Sequence, residues 1–374
     1  MKVRAAILRE MGLPRPYAES RPIAIEDVEL DPPGPGELLV RVRAAGLCHS
    51  DLSVIDGSRP RVMPMALGHE AAGEVVEAGA ETSGFAPGDH VVLTFVPACG
   101  ECGPCRAGRA ALCEPGAYAN LQGTLLSGAR RLRDSAGEPL NHHLGVSAFS
   151  DHVVVSARSA VRVDPALPFE VAALFGCAVL TGVGAVLHSA DVREGDSVAV
   201  FGLGGVGLAA LLGARYAGAR QIVAIDVVPE KLELALALGA TDVVTGDDDV
   251  VAAVQAVTNG GADKAIETVG SERVLAHAYA ATRRGGTTVT VGLPHPDRML
   301  SIPAVSLVAE ERTLRGSYLG SSVPSRDVPR FVELERAGEL PVARLLTHRL
   351  TLDELNEGFD RLAAGEGVRQ AVVF

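Results

Sequence analysis

From about residue 190 the chain alternates strand-like and helix-like runs: SVAVFG, a helix from Val206 to Ala217, QIVAID, a helix in PEKLELALALG, then DVVT, KAIETVG and TTVTVGLP. Alternation of this kind leaves few folds open, because strands separated by helices pair in parallel and need helices on both faces of their sheet. With TLRGSYLG at 313–320 the strand candidates number six, which suits a doubly wound dinucleotide fold. In FGLGGVG, Gly202, Gly204 and Gly207 form G-x-G-x-x-G between the first strand and its helix. The first glycine permits a tight turn, the second lets backbone amides approach a pyrophosphate, and the third allows close packing of helix on strand. QIVAID ends at Asp226, nineteen residues after Gly207, where a carboxylate accepts hydrogen bonds from a ribose diol and repels a 2′-phosphate. Val227 and Val228 bring no compensating arginine, so NAD is favoured over NADP.

Before residue 178 the rhythm is different. RAAILRE, ELLVRVRAAGL, HEAAGEVVEAG, DHVVL and FSDHVVVS are short runs separated by turns such as DPPGPGE and APGD, a pattern that predicts an antiparallel β domain with loops. Beyond 320, helices are expected over about 327–338 and 352–364, the second opened by Thr351-x-x-Glu354, and AVVF reads as a final strand.

Four of the six cysteines, Cys99, Cys102, Cys105 and Cys113, stand at spacing C-x2-C-x2-C-x7-C in PACGECGPCRAGRAALCEPG. In a reducing compartment such crowding reads as metal ligation rather than disulfides. Four thiolates close the sphere of Zn2+, so this site supports structure and performs no chemistry. Cys48 in GLCHSDL, His69 in LGHEAAG and Cys177 in LFGCAVLTG form a second, dispersed set. Each alone is an ordinary buried residue, but a Cys2His set holds zinc with a fourth position open.

Composition excludes several classes. Forty-six acidic against 34 basic residues give a net charge of -12, which repels nucleic acid and anionic membrane. No apolar run approaches the roughly 20 residues of a bilayer span, and MKVRAAILREMGLPRP has no signal-peptide core. A cytoplasmic protein acting on small molecules is expected.

GLCHSDL, GHEAAGEVVEAG, the four-cysteine stretch, GLGGVG and the tail LNEGFDRLAAGEGVRQAVVF together resemble the zinc-containing medium-chain alcohol dehydrogenases, nearly end to end. The resemblance implies an α/β chain: a GroES-like β-barrel catalytic domain from 1–178 and 322–374, a Rossmann NAD-binding domain over 179–321, an active site in the cleft, and a homodimer. It implies two Zn2+ per chain, a catalytic one on Cys48, His69 and Cys177 and a structural one on the four-cysteine stretch. Asp51 matches the carboxylate that orients the ligand histidine, and Glu70 a carboxylate just behind the metal. His49 and Arg369 match pyrophosphate contacts, Lys231 an adenosine-ribose contact, and Thr181 and Val206 neighbours of the nicotinamide. Ser50 matches the hydroxyl that begins a proton relay, although Ser53 replaces the histidine that many members place at its far end. Phe95, Leu144 and Phe149 match pocket walls, with Tyr118 near the mouth.

The implied reaction is hydride transfer between a primary or aromatic alcohol, or its aldehyde, and NAD. A thiol-adduct formaldehyde dehydrogenase is an alternative. That branch uses an arginine where this chain has Ala117, and Arg130, Arg131 and Arg133 on a long loop stand as replacements or as a solvated loop. A non-catalytic NAD-binding protein holding only the structural zinc is the second alternative.

Overall fold

The computed structural model describes residues 1–374, which divide into two compact units. The first comprises Met1–Cys177, Val323–Glu333 and Leu346–Phe374. Five strands close a barrel in the order Lys2–Leu8, Ile23–Leu30, Leu132–Arg133, Pro139–His142 and Met65–Ala66. Beside it, a seven-stranded sheet is organised by Glu37–Gly46. That strand pairs antiparallel with Ala71–Ala78, His152–Ser156 and Arg369–Val373. Its sequence ELLVRVRAAG is buried at eight of ten positions, with Arg41 exposed and Arg43 half-buried. Where it nears the turn at His69 it carries only Ala44, Ala45 and Gly46, opposite Ala71 and Ala72. Side chains larger than these would take the space filled by the Glu70 carboxyl, because a Cβ on Gly46 would overlap it.

The second unit comprises Ala178–Ser322 and Leu334–Leu345. Six parallel strands run in the order Asp242–Thr245, Gln221–Asp226, Ser197–Phe201, Ala262–Glu267, Thr282–Thr290 and Thr313–Gly316. In chain order within the unit this is 3-2-1-4-5-6, the doubly wound arrangement whose switch point lies beyond the carboxyl ends of the first and fourth strands. SVAVF is completely buried. The helices Gly205–Tyr216 and Pro229–Leu238 lie where the sequence places them, while Val250–Val257, Glu272–Ala281 and Ala304–Ala309 complete the alternation.

Several local expectations change. The stretch before 178 is not only strands and loops: His49–Ile55 and Glu114–Gln122 are helical. The four-cysteine stretch contains a helical turn at Gly103–Arg106 and another at Ala110–Leu112. These pieces are too short for a 3.6-residue pattern to show over the noise of adjacent turns. The tail helices span Pro324–Arg336 and Leu355–Ala363, and the Glu354 carboxylate accepts from both the amide and the hydroxyl of Thr351 at 2.8 Å. Leu334–Leu345 groups with the second unit, because buried Val342 and Leu345 lie in a turn packed on the helix Gly205–Tyr216. No single helix is long and apolar enough to cross a membrane.

Candidate metal and cofactor sites

In the first unit, three elements converge. Cys48 caps the helix His49–Ile55, His69 lies just before the strand Ala71–Ala78, and Cys177 follows the turn Ala173–Gly176. All three are buried, and their ligand atoms lie within 4.8 Å of one another. Gly68, at φ +94°, turns the chain into His69, and a Cβ there would stand 2.5 Å from the Phe149 amide. Only glycine suits both demands.

Asp51 comes up one turn into the helix from Cys48 and is wholly buried. Its Oδ2 stands 3.0 Å from His69 Nδ1, and its Oδ1 stands 2.9 Å from His143 Nδ1. The Gly68 amide also donates to Oδ1, at 3.1 Å. Burial opposes ionisation of this carboxyl, but the charge of His69 and the close approach of both imidazoles prevail and hold it far below the usual carboxylate range. With Nδ1 facing Asp51, His69 keeps Nε2 for another partner. That atom is buried and has no hydrogen-bond partner in the protein. The Cys48 thiol is held well below its ordinary value, chiefly by its contact with Cys177, with His69 and Arg369 assisting against desolvation. An orphaned buried imidazole nitrogen beside two thiols is a donor set that fits Zn2+ and leaves a fourth position for a ligand from outside the protein.

Glu70 is buried beside this group and paired with Arg369. Desolvation raises its carboxyl above the ordinary value even though Arg369 pulls the other way. Arg369 comes from the distant strand Arg369–Val373, which reaches this place by pairing with Glu37–Gly46. His49 is exposed and Ser50 half-buried at the start of the helix.

The four remaining cysteines also gather, with all ligand atoms within 4.8 Å. Cys99 and Cys105 sulfurs are 4.0 Å apart, close to the roughly 3.8 Å edge of a tetrahedron with Zn–S bonds of about 2.3 Å, and no disulfide joins them. Amides of Glu101 and Cys102 donate to Cys99 Sγ at 3.4 and 3.3 Å and lower its thiol to about 7. Cys105 is pushed up to about 12 by burial. Amides of Cys99 and Gly116 donate to Cys113 Sγ. This closed cage fits a metal held entirely by protein.

In the second unit, Gly202 has φ +91° and a Cβ on Gly207 would overlap the Gly202 carbonyl. Around Gly204, by contrast, an added Cβ would meet nothing within 4 Å. The helix Gly205–Tyr216 begins there without a side-chain cap, leaving its first-turn amides available to phosphate. Asp226 accepts from the Leu203 amide at 2.7 Å and the Val228 amide at 3.0 Å, and each carboxylate oxygen retains acceptor capacity for a diol. Lys231 is half-buried on the following helix. Gly182 lets the helix bearing Thr181 pack against the start of the helix bearing Val206. Thr268 and Val269, which the sequence did not single out, pack on Gly202; their signal was only their place at the end of KAIETVG.

Residues 34–165 match the family model described as alcohol dehydrogenase GroES-like domain, and residues 205–336 the one described as zinc-binding dehydrogenase. Over 377 aligned positions the chain is 38% identical to the NDMA-dependent alcohol dehydrogenase of Amycolatopsis methanolica, covering all of this chain and 99% of that one. The chain belongs to the zinc-dependent alcohol dehydrogenase family. It is also 36% identical to an S-(hydroxymethyl)glutathione dehydrogenase of Escherichia coli, with both chains fully covered. Its fold superposes on the benzyl alcohol dehydrogenase of Acinetobacter calcoaceticus with a TM-score of 0.90 at 30% identity, covering 100% of this chain and 99% of that one.

In this alcohol dehydrogenase the expected pocket residues separate. The Phe95 ring stands edge-on to His69, with centroids 5.5 Å apart at 84°. Leu144 is buried at φ +52°. Phe149 belongs to the core, enclosed and packed edge-on against Phe359 at 6.0 Å; it has no surface left for a substrate. Tyr118 is 67% exposed on the helix Glu114–Gln122. The three arginines read as a loop are committed elsewhere. Arg131 donates to buried Glu37 at 2.8 Å, Arg130 to Asn141 and the Gln122 carbonyl, and Arg133, on a barrel strand, to Asp31.

Proposed function

We propose that this alcohol dehydrogenase interconverts a primary or aromatic alcohol and its aldehyde with NAD, holding two Zn2+ per chain. The observation that carries the reading is the convergence of Cys48, His69 and Cys177, with Asp51 behind the imidazole. When bound, the zinc supplies Lewis acidity toward an alcohol or carbonyl oxygen and the nicotinamide supplies the two-electron redox chemistry. The protein's own residues do the rest. Asp51 fixes the His69 tautomer so that Nε2 is always the free donor. Phe95 and Leu144 present apolar surface that keeps water out and favours an apolar substituent on the substrate. Ser50 accepts the proton that an alcohol must release while passing its own hydroxyl proton onward, as the first member of a relay to solvent, and Glu70 with Arg369 places a balanced charge pair beside the two thiols.

NAD rather than NADP is supported by Asp226, whose carboxylate favours a ribose diol over a phosphate, followed by exposed Val227 instead of a cation. Gly202, Gly204 and Gly207 hold the pyrophosphate against backbone amides, Lys231 meets the adenosine ribose, and Thr181 and Val206 flank the nicotinamide. The catalytic domain comprises 1–177, 323–333 and 346–374, and the cofactor domain 178–322 with 334–345. The four-cysteine cage holds the second zinc.

The thiol-adduct reading is disfavoured by Ala117 and by the commitment of Arg130, Arg131 and Arg133 to Asn141, Glu37 and Asp31. The reading with structural zinc alone is disfavoured by the intact Cys2His set. A homodimer is supported by the unpaired edge strand Thr313–Gly316 and by Met299, Val305 and Val308, which are 81%, 71% and 81% exposed nearby in sequence. A cytoplasmic setting suits six unpaired cysteines.

A panel of alcohols and aldehydes assayed with NAD and NADP, with and without glutathione or mycothiol, tests the reading. Thiol-independent turnover of benzylic or short primary alcohols with NAD is expected. Turnover of formaldehyde alone among the panel, and only with a thiol, would replace it with the thiol-adduct reaction.

A further inference from the structure

Asp51 serves two buried imidazoles, not one. His143 Nδ1 lies 2.9 Å from Oδ1, while His69 Nδ1 lies 3.0 Å from Oδ2, and the rings stand edge-on with centroids 5.5 Å apart. The backbone that carries His143 is tied to the backbone that carries His69. The His143 amide donates to the Ala66 carbonyl, Ala148 to Gly68 and Phe149 to Leu67. Between these ties the chain turns through positive φ at Leu144, Gly145 and Ser147. Two of those residues are not glycine, and a left-handed conformation costs each of them on the order of 1 kcal/mol. A turn held in that form, with the Ser147 hydroxyl accepting from the His143 amide at 3.1 Å, fixes the direction of the His143 ring. A core imidazole without a task would not need its carboxylate shared with a metal-facing histidine.

We propose that His143 is a positioning residue for the catalytic zinc: its Nδ1–H pins Oδ1 of Asp51 so that Oδ2 stays aligned on His69 and keeps Nε2 presented to the metal. The inference rests on the reading that Cys48, His69 and Cys177 hold zinc. Asp51 without His143 retains the Gly68 amide on Oδ1, a single donor about which the carboxylate can swing. The His69 ring is then less firmly oriented and the metal less firmly held. Partners one step beyond a metal's ligands change affinity by roughly 10–100-fold; acting through Asp51, His143 belongs at about the lower end of that range.

The test uses zinc release from the intact protein to the chromogenic chelator 4-(2-pyridylazo)resorcinol. Wild type is expected to release zinc in two phases, one from each site. In His143→Leu the phase belonging to the Cys48 site should quicken about tenfold while the four-cysteine phase stays put, and His143→Asn, which restores an N–H near Nδ1, should return most of the difference. Equal release from His143→Leu and wild type, quickening of both phases together, or no rescue by asparagine overturns the proposal. A wild type that carries no zinc at the Cys48 site overturns the underlying reading as well, and does so before any variant is made. Nitrogen-15 spectra of histidine-labelled wild type give an answer that needs no variant: His143 protonated at Nδ1 is required, and a proton on Nε2 alone refutes the role.

Discussion

His142 is buried without exposure in the barrel strand Pro139–His142. Its Nε2 accepts from the Arg131 amide at 3.1 Å, and Nδ1 lies 3.3 Å from the Ser147 hydroxyl. Desolvation, with Arg130 and Arg131 adding like charge, lowers the imidazole to about 3, against roughly 6.5 in an unfolded chain. Between those values the unfolded state binds one proton more than the folded state, so stability falls as pH falls. At about 1.4 kcal/mol per pH unit, the two units from 6.5 down to 4.5 remove about 2.7 kcal/mol, and above 6.5 the contribution vanishes because both states are neutral. His142→Gln keeps an acceptor for the Arg131 amide and removes the titration. Urea unfolding of both proteins at pH 7.5 and 4.5, followed by far-UV circular dichroism because the chain has no tryptophan, isolates the effect. Losses common to both, such as protonation of the zinc ligands, cancel in the comparison. Wild type should lose about 2–3 kcal/mol more than the variant over this interval; parallel losses in the two proteins would show that the imidazole is not held neutral and refute the argument.

Arg131→Leu should cost about 3 kcal/mol in urea unfolding, because Glu37 would remain buried with only the Gly34 amide and Ser127 hydroxyl as donors. Turnover at saturating substrate should be unaffected, and a selective loss on thiol adducts would mean that Arg131 binds substrate after all. Ser50→Ala should lower the alcohol oxidation rate by about 100-fold with NAD affinity retained in a fluorescence titration; near-normal turnover would remove Ser50 from proton transfer. Cys113→Ser should release one zinc in metal analysis and lower the melting temperature, with turnover lost only as the protein unfolds. A variant equally heat-resistant but inactive would assign the four-cysteine cage a direct part in catalysis.

What the sequence made legible was what sits at fixed spacing. Gly202, Gly204 and Gly207 announce the nucleotide turn because the chain geometry demands glycine there, and Asp226 follows at a distance set by one helix and one strand. The inner strand SVAVF is readable because burial on both faces forces a continuous apolar run. His143 was not readable. Its partner Asp51 lies on a seven-residue helix that no periodicity reveals, and the two meet only through the barrel. The commitments of Arg130, Arg131 and Arg133 were equally hidden, since Glu37 is 94 residues from Arg131 and nothing local marks it as buried. Phe149 looked like a pocket wall by its place in the chain, but its ring is on the inner face, against Phe359 from the tail.

The strand Arg369–Val373 joins Glu37–Gly46 across more than three hundred residues. During synthesis the amino-terminal half emerges first, and domains fold as they appear. The nucleotide unit, continuous from Ala178 to Ser322 apart from one short addition, has nearly all its strands in hand early. The metal-bearing unit does not. Until residue 369 leaves the ribosome, Glu37–Gly46 keeps a bare edge at Ala44–Gly46, and Glu70 faces an interior without its arginine. Completion of the reactive half thus waits on that strand long after the cofactor fold is finished, and a polypeptide stopped short of it carries an unfinished sheet where quality-control proteases would find it.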